Sequence, residues 1–179
     1  KKYISIRKEK MKVNRIIILI PCLNEEKTIE QVIKDFKNFL PEAELHVFDN
    51  NSSDESKQIA ESNGAIIHNV KYPGKGNVVR RMFADIDGDI FVMIDADDTY
   101  DVSNIKSMID TFEKEDLDML VARRVSVEKS AYRFGHVIGN KVFSDLVKII
   151  FGTHISDLFS GFRVFSRRFV KSFPGNSKG

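Results

Sequence analysis

Residues 91–100 read FVMIDADDTY: four apolar residues give way to Asp95, Asp97 and Asp98, three carboxylates in four positions. Carboxylates that close repel one another unless a positive charge lies among them. Two chemistries use such a cluster at the end of a strand. In one, an aspartate attacks the substrate and is esterified. In the other, the aspartates hold a divalent cation that offsets charge on a leaving group. The stretch alone does not separate them.

Elements must position this cluster, and the chain supplies them in alternation. RIIILI (15–20) is a continuous β-branched run, as in a strand buried on both faces. A helix follows within 24–40, with Ile29, Val32, Ile33, Phe36 and Leu40 at helical spacing, glutamates in its first turn and Pro41 as its stop. AELHVFD (43–49) is a second strand. NNSSDESKQIAESNG then gives a loop, a short serine-capped helix and a stop at Gly64. AIIHNV (65–70) is a third strand, and YPGKG a loop before a helix with Val78, Val79, Met82, Phe83 and Ile86 as its buried stripe. DIFVMID (89–95) is the fourth strand. A helix with Val102, Ile105, Ile109 and Phe112 inside leads to a fifth, LDMLVAR (117–123).

Five such alternations call for an α/β fold, a mostly parallel central sheet with helices on both faces. Ligands gather at the carboxyl ends of such strands. Here those ends read PCLNEE, DNNSSD, KYPGKG, DADD and ARR, all polar and several able to grip phosphate, ribose or metal. A nucleotide site is the reading that follows.

A chain of 179 residues suits one domain, read as 15–179 behind a basic N-terminal extension at 1–14. The net charge of +2 does not point to nucleic acid, although cations at 122–124 and 162–168 leave open an anionic substrate or a membrane face as well as a solvated surface. With Cys22 as the single cysteine, an intramolecular disulfide and a cysteine metal site are excluded, which fits a reducing cytosol. Cys22 reads as a packing residue. IIILI is too short to span a bilayer, and charged residues break the apolar stretch 137–165.

Locally, MIDADDT resembles the first motif of haloacid-dehalogenase-type phosphatases, with Asp95 as nucleophile, Asp97 as acid/base and Thr99 on phosphate. That motif belongs on the first strand of its domain, whereas three strand–helix units precede it here. The rival is a nucleotide-sugar transferase, in which Asp95 and Asp97 manage metal and ribose. ILIPCLNEEKTIEQVI, VFDNNSSDES, GKGNVVRRMF, FVMIDADDTYD and DLFSGFRVFSRR together closely resemble glycosyltransferase family 2, best its dolichol-phosphate-mannose-synthase-like, polyprenyl-phosphate group, over about residues 15–173.

That resemblance implies a GT-A type, Rossmann-like sandwich and an inverting transfer from a nucleoside-diphosphate-sugar, UDP first, to a polyprenyl or dolichyl phosphate with Mg²⁺ or Mn²⁺. It places Pro21, Leu23, Glu25, Asp49, Lys75, Asp95, Ala96 and Asp97 around the donor. Leu23 stands where relatives often have tyrosine. Asp49 would accept a ring N–H of the base, or else cap the turn that follows it. Asp97 is the direct metal ligand and Asp95 its companion; Thr99 stands where some relatives place a metal-binding glutamine. Arg123, Arg133, Ser160 and Arg163 would meet the acceptor phosphate, arginine through paired bonds. Asp157 would align or activate the acceptor; Asp97 and Arg123 complete the catalytic set.

The segment 134–152 reads as an apolar helix, lodged on the sheet or dipping into a membrane surface. The expected location is the cytoplasmic face of a membrane, by peripheral contact. The end at PGNSKG is earlier than the resemblance leads one to expect. Transfer to a glycan hydroxyl and a non-catalytic nucleotide-sugar-binding fragment are the alternatives.

Overall fold

A computed structural model describes residues 14–122 and 160–173. Six strands form one sheet: β1 (Ile16–Cys22), β2 (Glu44–Asp49), β3 (Ile66–Asn69), β4 (Ile90–Met93), β5 (Met119–Val121) and β6 (Arg163–Ser166). The helices are α1 (Ile29–Phe39), α2 (Ser56–Ser62), α3 (Lys75–Asp85), α4 (Ile105–Lys114) and α5 (Arg167–Ser172). The strand order is β3-β2-β1-β4-β6-β5. Neighbours are parallel from β3 to β4, whereas β6 runs antiparallel to both β4 and β5.

The continuous apolar run of β1 has the cause expected of it. Ile18, Ile20 and Cys22 pack on one face with α1 and α4, and Ile17 and Leu19 on the other with α3. Helix α1 buries Ile29, Val32, Ile33 and Phe36. Each such burial contributes about 1.5–3 kcal/mol, which an isolated helix of this length needs, being marginal in water. Strand β3 is different. Ile66 is exposed, as an edge position allows.

Two local expectations are corrected, and one strand appears that the sequence reading did not name. The serine cap of α2 is absent: Glu55 is the N-cap residue, without a side-chain bond, and the Ser56 hydroxyl turns toward another loop. Lys75 and Gly76 are not loop residues but the first turn of α3, entered through Gly74 at φ +110°. Glycine is needed at 74 because side chains rarely adopt that φ; Gly76 has open space where a β-carbon would sit. Finally, RVFS is a strand wedged between β4 and β5, pairing Phe91 with Phe165 and Val92 with Val164. Four residues running directly into the arginines of α5 carry too short a signal to read as a strand.

Candidate active site

The carboxyl ends of β1, β2 and β4 lie side by side, since Cys22 is in register with Asp49 and Leu19 with Met93. The loops that leave them are laced together. Asn24, at φ +57°, donates its N–H to Ser52 Oγ (3.0 Å) and accepts from Ser53 N (2.8 Å). Ser56 Oγ accepts from Glu25 N (2.7 Å) and donates to Asp54 Oδ1, while Asp54 Oδ2 accepts from Glu26 N (3.1 Å). The serines and Asp54 after β2 thus act as braces for the loop after β1.

Between these loops and the start of α3 lies a cavity of about 610 Å³. Its walls include Pro21, Leu23, Glu25, Lys75, Asp95, Ala96 and Asp97, all anticipated from the sequence, and also Cys22, Asn50, Asn51, Pro73, Gly74 and Val78. Asp49 is buried and does not line it; its Oδ1 accepts from Ser52 N (3.2 Å), the turn-capping contact. Leu23 is 52% exposed, leaving an apolar side chain at the mouth. Burial pushes the Cys22 thiol up to about 11, against an opposing bond from Ser56, so it stays neutral and fits packing better than nucleophilic attack.

Lys75 Nζ lies 2.5 Å from Asp95 Oδ1. Positive charge therefore stands inside the acidic cluster, as the crowding of carboxylates requires. Asp97 is exposed, and its Oδ1 accepts from both Thr99 N (3.2 Å) and Thr99 Oγ1 (2.7 Å). Thr99 thus orients Asp97. Asp98, at φ +54°, has its carboxyl held above the usual range by burial first, then by Asp35 and Asp97.

Gly161 packs against the Asp95 carboxylate so closely that a β-carbon there would overlap it. Its N–H donates to Tyr100 Oη (2.5 Å), and the Tyr100 ring meets Phe162 edge-on at 5.7 Å. The DADDTY and SGF stretches, some sixty residues apart, form one unit. Ser160, Gly161 and Arg163 line an adjoining cavity of about 410 Å³, which shares Lys75 with the first. Arg163 Nε donates to Ser160 O (2.9 Å). Arg123, Arg133, Asp157 and the segment 134–152 lie outside the described residues.

Among the described residues no three His, Cys, Asp or Glu side chains converge on a metal position. Two hard carboxylates suffice for Mg²⁺ or Mn²⁺ when substrate phosphates and water complete the shell. Asp97 and Asp95 fit that requirement.

An open α/β sheet with a cavity and a pair of aspartates at the carboxyl ends of its parallel strands is the GT-A glycosyltransferase arrangement. Glucosyl-3-phosphoglycerate synthase from Mycobacterium tuberculosis, solved with Mn²⁺, UDP-glucose and phosphoglyceric acid, superposes with a TM-score of 0.67 at 26% identity, covering 87% of this chain and 57% of that one. The chain belongs to glycosyl transferase family 2, matched over residues 17–173, and not to the phosphatases whose first motif MIDADDT resembles.

Protein RfbJ of Shigella flexneri is 52% identical over 122 residues, 68% of this chain and 95% of its own length. The undecaprenyl-phosphate 4-deoxy-4-formamido-L-arabinose transferase of Proteus mirabilis is 28% identical over 171 residues, 89% of this chain. The chain spans 51% of that relative's length. No helix among the described residues is long and apolar enough to cross a membrane.

Proposed function

We propose that this chain carries the donor site of an inverting transferase that moves a sugar from a nucleoside diphosphate, UDP first, onto a polyprenyl phosphate at the cytoplasmic face of a membrane. One observation carries the reading: Lys75, Asp95 and Asp97 meet at one end of a 610 Å³ cavity bounded by the loops after β1 and β2. The Proteus relative supports the lipid acceptor and the group within family 2. The structural neighbour supports UDP and manganese.

In this reading the base enters near Leu23, with Asp49 capping the turn behind that wall rather than meeting the base, and the diphosphate lies toward Lys75 and the start of α3. The first N–H groups of a helix have no acceptor within it and favour anions. Asp97, aimed by Thr99, and Asp95 would hold a divalent cation, which when bound supplies screening of the charge that grows on the diphosphate. A phosphate monoester acceptor is already anionic at neutral pH. It needs alignment and relief from repulsion rather than a base. Arg163 and, outside the described residues, Arg123 and Arg133 are assigned to that phosphate. Asp157 is assigned to orienting them. Inversion then takes one in-line displacement, the acceptor oxygen bonding to the anomeric carbon as the diphosphate leaves.

The test incubates the chain with radiolabelled UDP-sugars, Mn²⁺ and a polyprenyl phosphate, followed by butanol extraction. Label in the butanol phase is the expected result. Label only in water-soluble glycan or glycoside points to a hydroxyl acceptor, which would require a true base. Binding of UDP without any turnover would reduce the chain to a nucleotide-sugar-binding fragment.

A further inference from the structure

We infer that Asn50 is a positioning residue that sets where the donor's phosphates bind; the inference rests on the reading of the cavity as a nucleoside-diphosphate site. Asn50 follows the last residue of β2 and is 5% exposed. Its Nδ2 donates to Val70 O (3.0 Å) and to Tyr72 O (2.9 Å), and its Oδ1 accepts from Gly74 N (2.8 Å). One side chain thus ties down the connection from β3 to α3 at three points.

The third contact matters most for the phosphates. Gly74 holds φ +110° and its carbonyl accepts from Asn77 N (2.9 Å) and Val78 N (3.2 Å), opening α3. Lys75 is the next residue, and its ammonium reaches Asp95. Fixing the Gly74 N–H fixes the origin of α3, and with it the position of Lys75 relative to the aspartates. The base side of the cavity, around Leu23, is braced by bonds that do not use the Asn50 side chain: Asn24 N–H to Ser52 Oγ, and the Asn50 backbone N–H to Cys22 O. Loss of Asn50 should therefore displace the phosphate end and leave the base end in place.

The amide is specific. Two carbonyls at one end and an N–H at the other determine its orientation. A carboxylate at position 50 could still accept from Gly74, but its other oxygen would face two carbonyl oxygens with no proton between them. Once protonated, it could donate to one of them again.

The experiment measures, by calorimetry on the full chain with Mn²⁺, the affinities for UDP, GDP and CDP, and for the nucleoside of whichever binds best. The quantity read is the ratio of diphosphate to nucleoside affinity, compared with the unaltered chain at each pH. Asn50→Asp is expected to lower that ratio about tenfold at pH 8, with nucleoside affinity unchanged, and to recover part of it as pH falls toward 5. Asn50→Ala should lower the ratio without the recovery, and it adds no buried charge should the aspartate variant fail to fold. Equal loss of nucleoside and diphosphate affinity overturns the inference, as does an unchanged ratio. Failure of both variants to fold also overturns it, since Asn50 would then serve the fold at large. If the unaltered chain binds none of the three diphosphates, the donor reading itself falls and takes this role with it.

Discussion

Gly161 stands against the carboxylate of Asp95 with no room for a β-carbon between them. Gly161→Ala must therefore push Asp95 aside and disturb its pairing with Lys75. Overpacking of this kind costs about 1–3 kcal/mol. The expected outcome is a smaller thermal shift by UDP and Mn²⁺ than in the unaltered chain. A shift of the same size would show that Asp95 can move without consequence for the donor.

Asp97→Asn removes the exposed carboxylate assigned to the cation while keeping an acceptor for Thr99. The metal-dependent part of the UDP thermal shift should vanish and the metal-independent part remain. Thr99→Val removes the 2.7 Å hydroxyl bond to Asp97 but not the 3.2 Å backbone one. A partial loss is expected there, about 1 kcal/mol. If Thr99→Val is the more damaging of the two, the roles are reversed.

Acid should destabilise the protein through a histidine pair that does not line the cavity. His46 Nδ1 and His68 Nε2 are 2.9 Å apart, and His68 stacks on Phe48. Burial, more than any charge, holds both below the usual histidine range; Glu44 and Asp85 oppose it, while Arg15 and Arg81 add to it. The unfolded chain then binds more protons, so stability is complete above the unfolded value of about 6.5 and declines as pH falls below it. Urea midpoints measured from pH 7.5 to 5 should fall through that window. In a His46→Leu, His68→Leu double variant this part of the decline should be lost.

Phe162 is 1% exposed and meets Phe36 and Tyr100 edge-on, at 6.5 and 5.7 Å. Phe162→Ala should cost about 3–5 kcal/mol of stability. Because Tyr100 also loses its ring partner beside Gly161, donor affinity should fall with it even where the protein remains folded. Urea unfolding together with UDP titration separates the two effects.

What could be read from residues alone follows the range of the interactions. The first strand was legible because burial on both faces leaves an unbroken β-branched run, and the amphipathic stripes of α1 and α4 because their period is local. The donor wall was legible in part, since it sits at strand ends. Lys75 reads as a loop residue because Gly-Lys-Gly is a poor helix start by propensity; α3 opens at Gly74, whose N–H donates to the Asn50 side chain 24 residues upstream. Tyr100 and Gly161 were missed for the same reason, their contact spanning 61 positions with no periodic trace. Strand β6 was hidden by its brevity. Within it, Val164 and Phe165 face opposite cores.

The wedge of β6 between β4 and β5 also orders events on the ribosome. Until residues 163–166 have emerged, β5 lacks its hydrogen-bonding neighbour among the described residues, and the edge of β4 that β6 covers is unpaired. A chain lacking those four residues is expected to present an unpaired strand edge, the kind of surface that favours association with other chains. The late strand seals the sheet and, through Gly161, seats Asp95 in the same step, so maturation of the scaffold and of its chemistry arrive together.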